Sequence, residues 1–192
     1  FPNLFNGAAF ISESNPDYRR WGYAGFMAQN QRLSYWPLLK TGDSDVLQVA
    51  LDFYASRLDL ELAWAKHFWN VDGAVFPEDL DVFGMPAYIA RKDGTSSPDC
   101  LRRHWTSGME FALMMLESGN YTELDIKEYI PVADAIIRFF DSYYRKQNRD
   151  NTGSELDEKG RLVIYPSNAL EAYLEAKNPS CALSGLIALS NA

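Results

Sequence analysis

Apolar side chains recur at intervals of three and four residues through residues 46–65. This spacing places them on one face of an α-helix, whereas a half-buried strand would need strict alternation. With Asp43 or Ser44 as the N-cap and residues 70–73 as the stop, the pattern predicts one long amphipathic helix that ends near Trp69. The apolar face of such a helix has to be covered by other helices, and this need constrains the fold more than any other feature of the sequence.

Further helices are predicted from the same periodicity and from capping residues. They cover residues 29–39 with a bend or the start of a new turn at Pro37, residues 101–118 ended by Gly119, residues 122–146 divided by Pro131, and a last segment after Pro179. The connections are alternately short and long, which is typical of successive antiparallel helical hairpins. Such hairpins close into a ring or extend as a solenoid, and the lack of a fixed-period repeat disfavours the regular solenoids. The predicted fold class is all-α.

Two long connections lack helical periodicity. Residues 74–98 are punctuated by Gly and Pro, and a loop of this length inside a compact domain is more often functional than idle. Residues 147–160 are polar and lead into a short extended run at residues 162–165. In a ring of hairpins the long loops would gather at one end, where a pocket can form. Residues 1–27 are expected to be irregular or to form short extended structure.

The overall composition restricts the possible partners. The net charge is −8, which argues against nucleic acid and anionic membrane surfaces, and no apolar run approaches the roughly 20 residues of a membrane span. Aromatic residues make up 14% of the chain, and they suit either sugar stacking or a large helical core. Cys100 and Cys181 cannot define a disulfide framework. The sequence opens at Phe1 without a signal segment and stops inside an apolar run, so we expect a piece of a longer protein, truncated at both ends.

Glu171 is the main candidate for acid–base chemistry. It follows the short extended run and a Tyr-Pro-Ser turn, in a sequence rich in aromatic helices. A carboxyl in apolar, aromatic company has its charged form disfavoured and can donate a proton near neutrality. That is the requirement for the general acid of glycoside hydrolysis, although a solvated Glu beside a turn is the commoner case.

Three other clusters combine polar and aromatic groups. Amides and guanidinium groups offer paired hydrogen bonds to sugar hydroxyls, and an indole offers a stacking face. The clusters are residues 29–37 with Arg32 and Trp36, the acidic loop 72–79 with Glu78 and Asp79, and residues 103–110 with His104 and Trp105.

Metal and nucleophile chemistry have no support in the sequence. His67 and His104 are the only histidines, and they lie on different predicted elements without partners at ligand spacing. The sequence contains no nucleophile elbow and no Gly-rich phosphate loop. We therefore expect no metal and no cofactor.

Three motifs, in this order, resemble glycoside hydrolase family 95, the α-L-fucosidases. The segment NQRLSYWP at 30–37 is similar to the family's N-x-Q-M-N-Y-W-P signature. The segment WTSGMEFALMML at 105–116 looks like the family's next helix pair, and YPSNALE at 165–171 resembles its S-P-S-x-S-P-E segment. The FPE loop at 76–78 looks more like a wider group of six-hairpin glycosidases. The resemblance covers nearly the whole chain but only part of the family's catalytic domain.

The resemblance implies that residues 1–192 form one partial catalytic domain, about half of an (α/α)6 toroid of helical hairpins. It implies an inverting hydrolase that acts on an oligosaccharide or glycoside, and it favours a secreted or extracellular location. Glu171 would be the general acid, and Asn30 one of two asparagines that orient the nucleophilic water. The second asparagine's position holds Ala28, and the family's catalytic Asp would lie downstream. Substrate contacts would come from Arg32, Trp36, Glu78, His104, Trp105 and Tyr165.

Two other interpretations share this fold. A non-catalytic carbohydrate-binding or scaffold protein is favoured by Ala28, whereas Glu171 beside Tyr165 favours the enzyme. A lyase or phosphorylase acting on glycans also remains open. Phosphorolysis would need basic groups, and the only candidates are Arg32, Arg102 and Arg103.

Overall fold

The computed structural model describes residue 2 and residues 25–88 and 90–192. Within them the chain is mostly helical with only short strands, in keeping with the all-α prediction. Most of residues 1–27, expected to be irregular or short extended, lies outside the described residues, and its described end forms a short strand at Phe26–Met27. Single turns of 3-10 helix cover Asp99–Leu101 and Ile126–Glu128. The α-helices are α1 (Ala28–Tyr35), α2 (Leu38–Thr41), α3 (Ser44–Ala55), α4 (Leu58–Trp69), α5 (Thr106–Tyr121), α6 (Ile130–Thr152) and α7 (Ser180–Asn191).

Four short strands form two antiparallel pairs. Strand β1 (Phe26–Met27) pairs with β2 (Asp79–Leu80), with Met27 opposite Asp79. Strand β3 (Ser167–Ala169) pairs with β4 (Tyr173–Ala176). The first pair ties the start of α1 to the loop that follows α4. The second pair is a hairpin whose turn contains Glu171.

Helix α5 is the centre of the packing. It contacts α1, α2, α3, α6 and α7. Helices also pack two positions along the chain, because α3 contacts α5, α4 contacts α6, and α5 contacts α7. Helix α7 buries Ala182 and Leu189 but leaves Leu183 and Ile187 exposed. None of the described helices is long and apolar enough to cross a membrane.

Aromatic rings fill much of the core. Tyr54 of α3 stacks on Phe111 of α5 with ring centroids 4.1 Å apart. A second group, the aromatic cluster, has ring centroids between 5.1 and 5.6 Å apart and consists of Trp69, Trp105, Phe139 and Tyr143. Aromatic pairs of this kind contribute about 0.5–1.5 kcal/mol beyond the burial of their surface. These rings therefore stabilise the helical core.

The prediction of a single helix up to Trp69 is wrong, because the chain breaks between α3 and α4. The Ser56 hydroxyl donates a hydrogen bond to the Phe53 carbonyl at 2.9 Å, and the Arg57 N–H bonds to the Tyr54 carbonyl. Both contacts compete with the continuation of the α-helix. The periodicity was correct on each side of the break but did not reveal it.

Two predicted helix breakers do not break their helices. Pro131 lies in the first turn of α6, where its missing N–H costs no hydrogen bond, so α6 is continuous and runs beyond Lys146. Gly119 lies inside α5, which ends at Tyr121. Its lack of a side chain makes room for Ile126, because an added Cβ would lie 3.0 Å from the Ile126 Cγ2.

Other boundaries of helices and strands differ less from the predicted ones. Pro37 separates α1 from α2, which agrees with the start of a new turn at this residue and not with a bend in one helix. The helix predicted from residue 101 begins at Thr106, after a 3-10 turn. The extended run at 162–165 forms no strand, and β3 begins just beyond it. The last helix, after Pro179, is confirmed.

Candidate functional site

A cavity of about 270 Å³ lies between the start of α1, strand β2, the 3-10 turn before α5 and the turn between β3 and β4. Carboxylates of Glu78, Asp79 and Glu171 line it together with the amides of Gln29 and Asn30. None of the described residues that line it is basic. We call it the carboxylate cavity, and its other lining residues are Met27, Tyr88, Pro98, Cys100 and Leu101.

A larger groove of about 860 Å³ runs along the end of α6 and the loop that follows it. It is lined by side chains such as Asp157, Arg161 and Tyr165. Its ionic groups are on the surface, and Arg161 is already paired with Asp157 at 2.8 Å. Buried titratable groups are the better marker of a functional site, so the smaller carboxylate cavity is the stronger candidate.

The loop after α4 carries Glu78 into the interior. Gly73 has a φ of 98°, and an added Cβ would collide with the backbone of Phe139, so the loop passes close to α6. The Ala74 N–H then bonds to the Ala135 carbonyl at 2.9 Å. The apolar residues that follow, including Phe76, are buried. Their burial takes Glu78 into the core with them.

Glu78 is 2% exposed and is held by two hydrogen bonds. The backbone N–H of Gln29 donates to its Oε1 at 2.6 Å, and the Ser107 hydroxyl donates to its Oε2. Burial raises the pKa of Glu78 to about 7, against the lowering effect of these two hydrogen bonds and with a further raising effect of Asp79 and Glu171. Glu78 therefore changes its charge near neutrality.

Asp79 is completely buried beside it. Its Oδ2 accepts from the Tyr88 N–H at 2.7 Å, but its Oδ1 has no hydrogen-bond partner among the described residues. Burial raises the pKa of Asp79 to about 7. Two adjacent carboxyls thus titrate in the same range of pH, which is unusual outside functional sites.

His104 lies behind Glu78 rather than in the cavity lining. Its Nδ1 is 3.9 Å from the Glu78 Oε2 and has no hydrogen-bond partner among the described residues. Burial, with a smaller effect of Arg32, lowers the pKa of His104 to about 4, so the ring is neutral and the two groups are not an ion pair. The predicted substrate contact of His104 is corrected to a place behind the site, because the side chain is 2% exposed.

Glu171 reaches the cavity from the turn of the β3–β4 hairpin. Its Oε1 accepts a hydrogen bond from the Gln29 Nε2 at 2.9 Å, across 142 residues of sequence. The side chain is exposed, so the expectation of a partly buried carboxyl in apolar, aromatic company is wrong. The hairpin turn projects Glu171 outward, and the buried carboxyls of the cavity are Glu78 and Asp79 instead.

The other predicted contacts fall into two groups. Arg32 and Trp36 both bind Glu110, through Nη1 at 3.0 Å and through Nε1 at 2.8 Å. This half-buried cluster lies one to two helical turns further along α1 than the residues that line the cavity. Trp105, which was expected to contact substrate, is 3% exposed inside the aromatic cluster and packs the core. Tyr165, also expected there, lines the larger groove instead.

Comparison with known proteins adds no neighbour. No protein-family model, curated protein or solved structure matches this chain. The described residues also contain no group of three or more His, Cys, Asp or Glu that could hold a metal ion. Function therefore has to be argued from the geometry of the cavity.

Sequence reasoning missed the parts played by Gln29, Tyr88 and Cys100, and it named Asp79 only as a member of the acidic loop. Gln29 stands beside Asn30 in the amide cluster, and its backbone and side chain link two carboxylates. The sequence carried no signal for the burial of Glu78, because a Glu is rarely buried unless it is paired. No sequence signal placed Cys100 at the cavity.

Proposed function

We propose that this chain is part of an inverting glycoside hydrolase and that the carboxylate cavity holds the sugar at the bond to be cleaved. The observation that carries the proposal is the meeting of Asn30 and Gln29, from the first helix, with Glu171, from a hairpin 142 residues beyond Gln29, at one small cavity. Acid–base cleavage of a glycosidic bond needs carboxyl groups disposed around a sugar-sized space. Amides beside them bind hydroxyls.

The arrangement of the helices supports half of a toroid of helical hairpins. In a ring of hairpins the helices alternate between an inner and an outer layer, so each helix packs against the second one along the chain. The contacts of α3 with α5, of α5 with α7 and of α4 with α6 follow that rule. The exposed Leu183 and Ile187 of α7 are where a further hairpin of such a ring would pack.

The size and charge of the cavity favour a single uncharged sugar residue. Its volume of about 270 Å³ is near the lower end of ligand sites, which span roughly 300–1,000 Å³. Because three carboxylates and no basic side chain of the described residues line it, an anionic sugar would be repelled. The Arg32–Glu110–Trp36 cluster, with Arg32 40% exposed, is placed to contact the next sugar along.

In this proposal Glu171 protonates the leaving oxygen and Asn30 orients the attacking water. A bound sugar would displace water from around Glu171, which strengthens its electrostatic contacts. The carboxylate that activates the water would stand opposite, about 6.5–9.5 Å away, and is expected from the sequence downstream. Glu78 and Asp79 are too deeply buried to take that part.

A binding protein without catalysis on the same fold is the second candidate. It is favoured by Ala28, which is 2% exposed and offers no amide where the resemblance calls for the second asparagine. Phosphorolysis has less support, because Arg32 is paired with Glu110 and Arg102 with Asp93, and the described residues that line the cavity do not include Arg103 either.

The test is Glu171→Gln in the full-length protein, measured on pairs of aryl glycosides with good and poor leaving groups. Loss of general acid help should lower kcat about 10²–10⁴-fold on the poor leaving group and much less on the good one. The matched control is Glu175→Gln, which removes the same charge from the same hairpin at an exposed position away from the cavity. Equal loss on both substrates, or equal effects of the two substitutions, would contradict the acid role of Glu171.

A further inference from the structure

Gln29 makes contacts with two carboxylates that have different surroundings. Its backbone N–H donates to the buried Glu78, and its side-chain Nε2 donates to the exposed Glu171. No other described residue is hydrogen-bonded to both. The three residues form a continuous chain of contacts from the interior to the mouth of the cavity.

We infer that Glu78 is a positioning residue, whose charge state sets how firmly Gln29 holds the carboxylate of Glu171. The effect of Glu78 on catalysis rests on the proposed function, whereas the coupling of Glu78 to Glu171 rests on their contacts with Gln29 alone.

The first step concerns the start of α1. The first N–H groups of a helix have no partner inside the helix, and the N-cap residue Met27 supplies no side-chain cap within the described residues. Glu78 takes that place from another part of the chain. Its Oε1 accepts from the Gln29 N–H at 2.6 Å, while its backbone carbonyl accepts from the Ala28 N–H at 2.9 Å. Glu78 therefore fixes the first turn of α1, and a negative charge there is favoured by the helix dipole.

The second step concerns the side chain of Gln29. An exposed carboxylate in a hairpin turn has several rotamers, and the bond from the Gln29 Nε2 to the Glu171 Oε1 at 2.9 Å selects one of them. Since the backbone of Gln29 is fixed by Glu78, the choice of rotamer depends on Glu78 as well. A displacement of about 1 Å in a catalytic group can cost about 100-fold in rate.

The third step concerns the charge of Glu78. When it is ionised it accepts from both the Gln29 N–H and the Ser107 hydroxyl, and such charge-assisted bonds are about twice as strong as neutral ones. When it is protonated the contact with Gln29 becomes a neutral bond and is weaker. Burial raises the pKa of Glu78 to about 7, so the change falls near neutrality.

Among the described residues, four other titratable groups face Glu78, and they determine which controls are needed. Tyr54 and His104 hold one charge state through this range, because burial raises the pKa of Tyr54 and lowers that of His104 to about 4. Glu171 raises the pKa of Glu78 slightly. Asp79 is the group to separate, because burial raises its pKa to about 7 as well.

The experiment follows the side-chain amide of Gln29 by NMR in the full-length protein, labelled with ¹⁵N-glutamine, between about pH 5 and about pH 9. We expect its resonances to move with a midpoint near that of Glu78 and to lose this movement in Glu78→Gln, which mimics the protonated form. Glu61→Gln is the matched control, because Glu61 is also buried, with an unpartnered Oε1, but does not line the cavity. Resonances independent of pH in the wild type, or movement that survives Glu78→Gln and disappears in Asp79→Asn, would overturn the inference.

The catalytic arm uses Gln29→Met, which keeps the backbone contact with Glu78 and removes only the donor to Glu171. We expect kcat to fall between about 10-fold and 100-fold with KM nearly unchanged, and the dependence of kcat on pH near neutrality to be reduced in Glu78→Gln. An unchanged kcat in Gln29→Met would contradict the positioning role. If the amide titrates as expected while no glycoside is hydrolysed, the coupling stands and the proposed function fails.

Discussion

Trp105 and Ser107 stand two residues apart at the start of α5, and they lie in two buried regions that differ in polarity. Trp105 lies in the aromatic cluster, which is filled by rings in contact with one another. Ser107 binds Glu78 in a buried polar region where the Asp79 Oδ1 and the His104 Nδ1 have no hydrogen-bond partner among the described residues. One region stabilises the fold, and the other reduces its stability.

The difference teaches where function lies in this molecule. Each buried polar group left without a partner costs about 1–3 kcal/mol, so a chain selected for stability alone would not keep such groups. Conflicts of this kind are expected at functional sites, where the rest of the structure supports them.

The largest expected effect is on the aromatic cluster. Trp105→Ala should lower the free energy of unfolding by about 3–5 kcal/mol, because it removes a buried ring and leaves a cavity. The loss should be the same at about pH 5 and about pH 8, since the cluster holds no group that titrates between them. Urea unfolding at both values measures it. Tyr165→Ala, at a side chain 40% exposed, is the control and should change stability by less than about 0.5 kcal/mol.

The next effect has the opposite sign and depends on pH. Burial raises the pKa of Glu78 to about 7, above its ordinary 4.5, so the folded protein binds more protons between these values and becomes less stable as pH rises through them. Glu78→Gln should remove about 3 kcal/mol of that loss and be more stable than the wild type at about pH 8. Asp79 and Glu61 contribute to the slope that remains, because burial raises the pKa of both. A variant less stable than the wild type at both about pH 5 and about pH 8 would mean that the charge of Glu78 is not the cause.

A smaller effect of the other sign is expected from His104. Burial lowers its pKa to about 4 from 6.5, so its neutral form contributes stability that is present above 6.5 and is lost as pH falls towards 4. Between about pH 5 and about pH 6.5 this contribution of His104 changes by about 2 kcal/mol and opposes the contribution of Glu78, so His104→Gln should make stability fall more steeply as pH rises through this range. The same unfolding series measures it, and an unchanged slope would mean that His104 does not contribute.

Much of the fold could be predicted from the sequence. The helix after Pro179 and the helices around residues 106–121 and 130–152 follow from apolar spacing and capping residues. The break between α3 and α4 could not be predicted. A serine hydroxyl can bind either solvent or a backbone carbonyl, and the bond from Ser56 to the Phe53 carbonyl is known only from the structure. Pro131 was misjudged because a proline is harmless in a first turn, and the helix start was placed too early.

The site was predictable in its members more than in their roles. Asn30, Glu78 and Glu171 do line one cavity, and the order of the motifs was the basis for grouping them. Their burial was not predictable, because it depends on elements far away in sequence: the hairpin turn exposes Glu171, and the close packing at Gly73 draws Glu78 inside. Tryptophan is a residue type that stacks on sugars, and only the packing of α4 and α6 around Trp105 shows that this side chain belongs to the hydrophobic core.

The most direct test of the account is the reactivity of Cys100, which lines the carboxylate cavity, with Cys181 on α7 as an internal reference. Burial, followed by Glu171, raises the pKa of the Cys100 thiol, so its alkylation should be slow and should become faster in Glu171→Gln. A panel of neutral monosaccharides that includes L-fucose is screened for binding by calorimetry, and a sugar that binds is then added to the alkylation. The account predicts that this sugar protects Cys100 at least about fivefold and leaves Cys181 unchanged. A sugar that binds while both thiols react at their unprotected rates would place the binding site elsewhere and contradict the account.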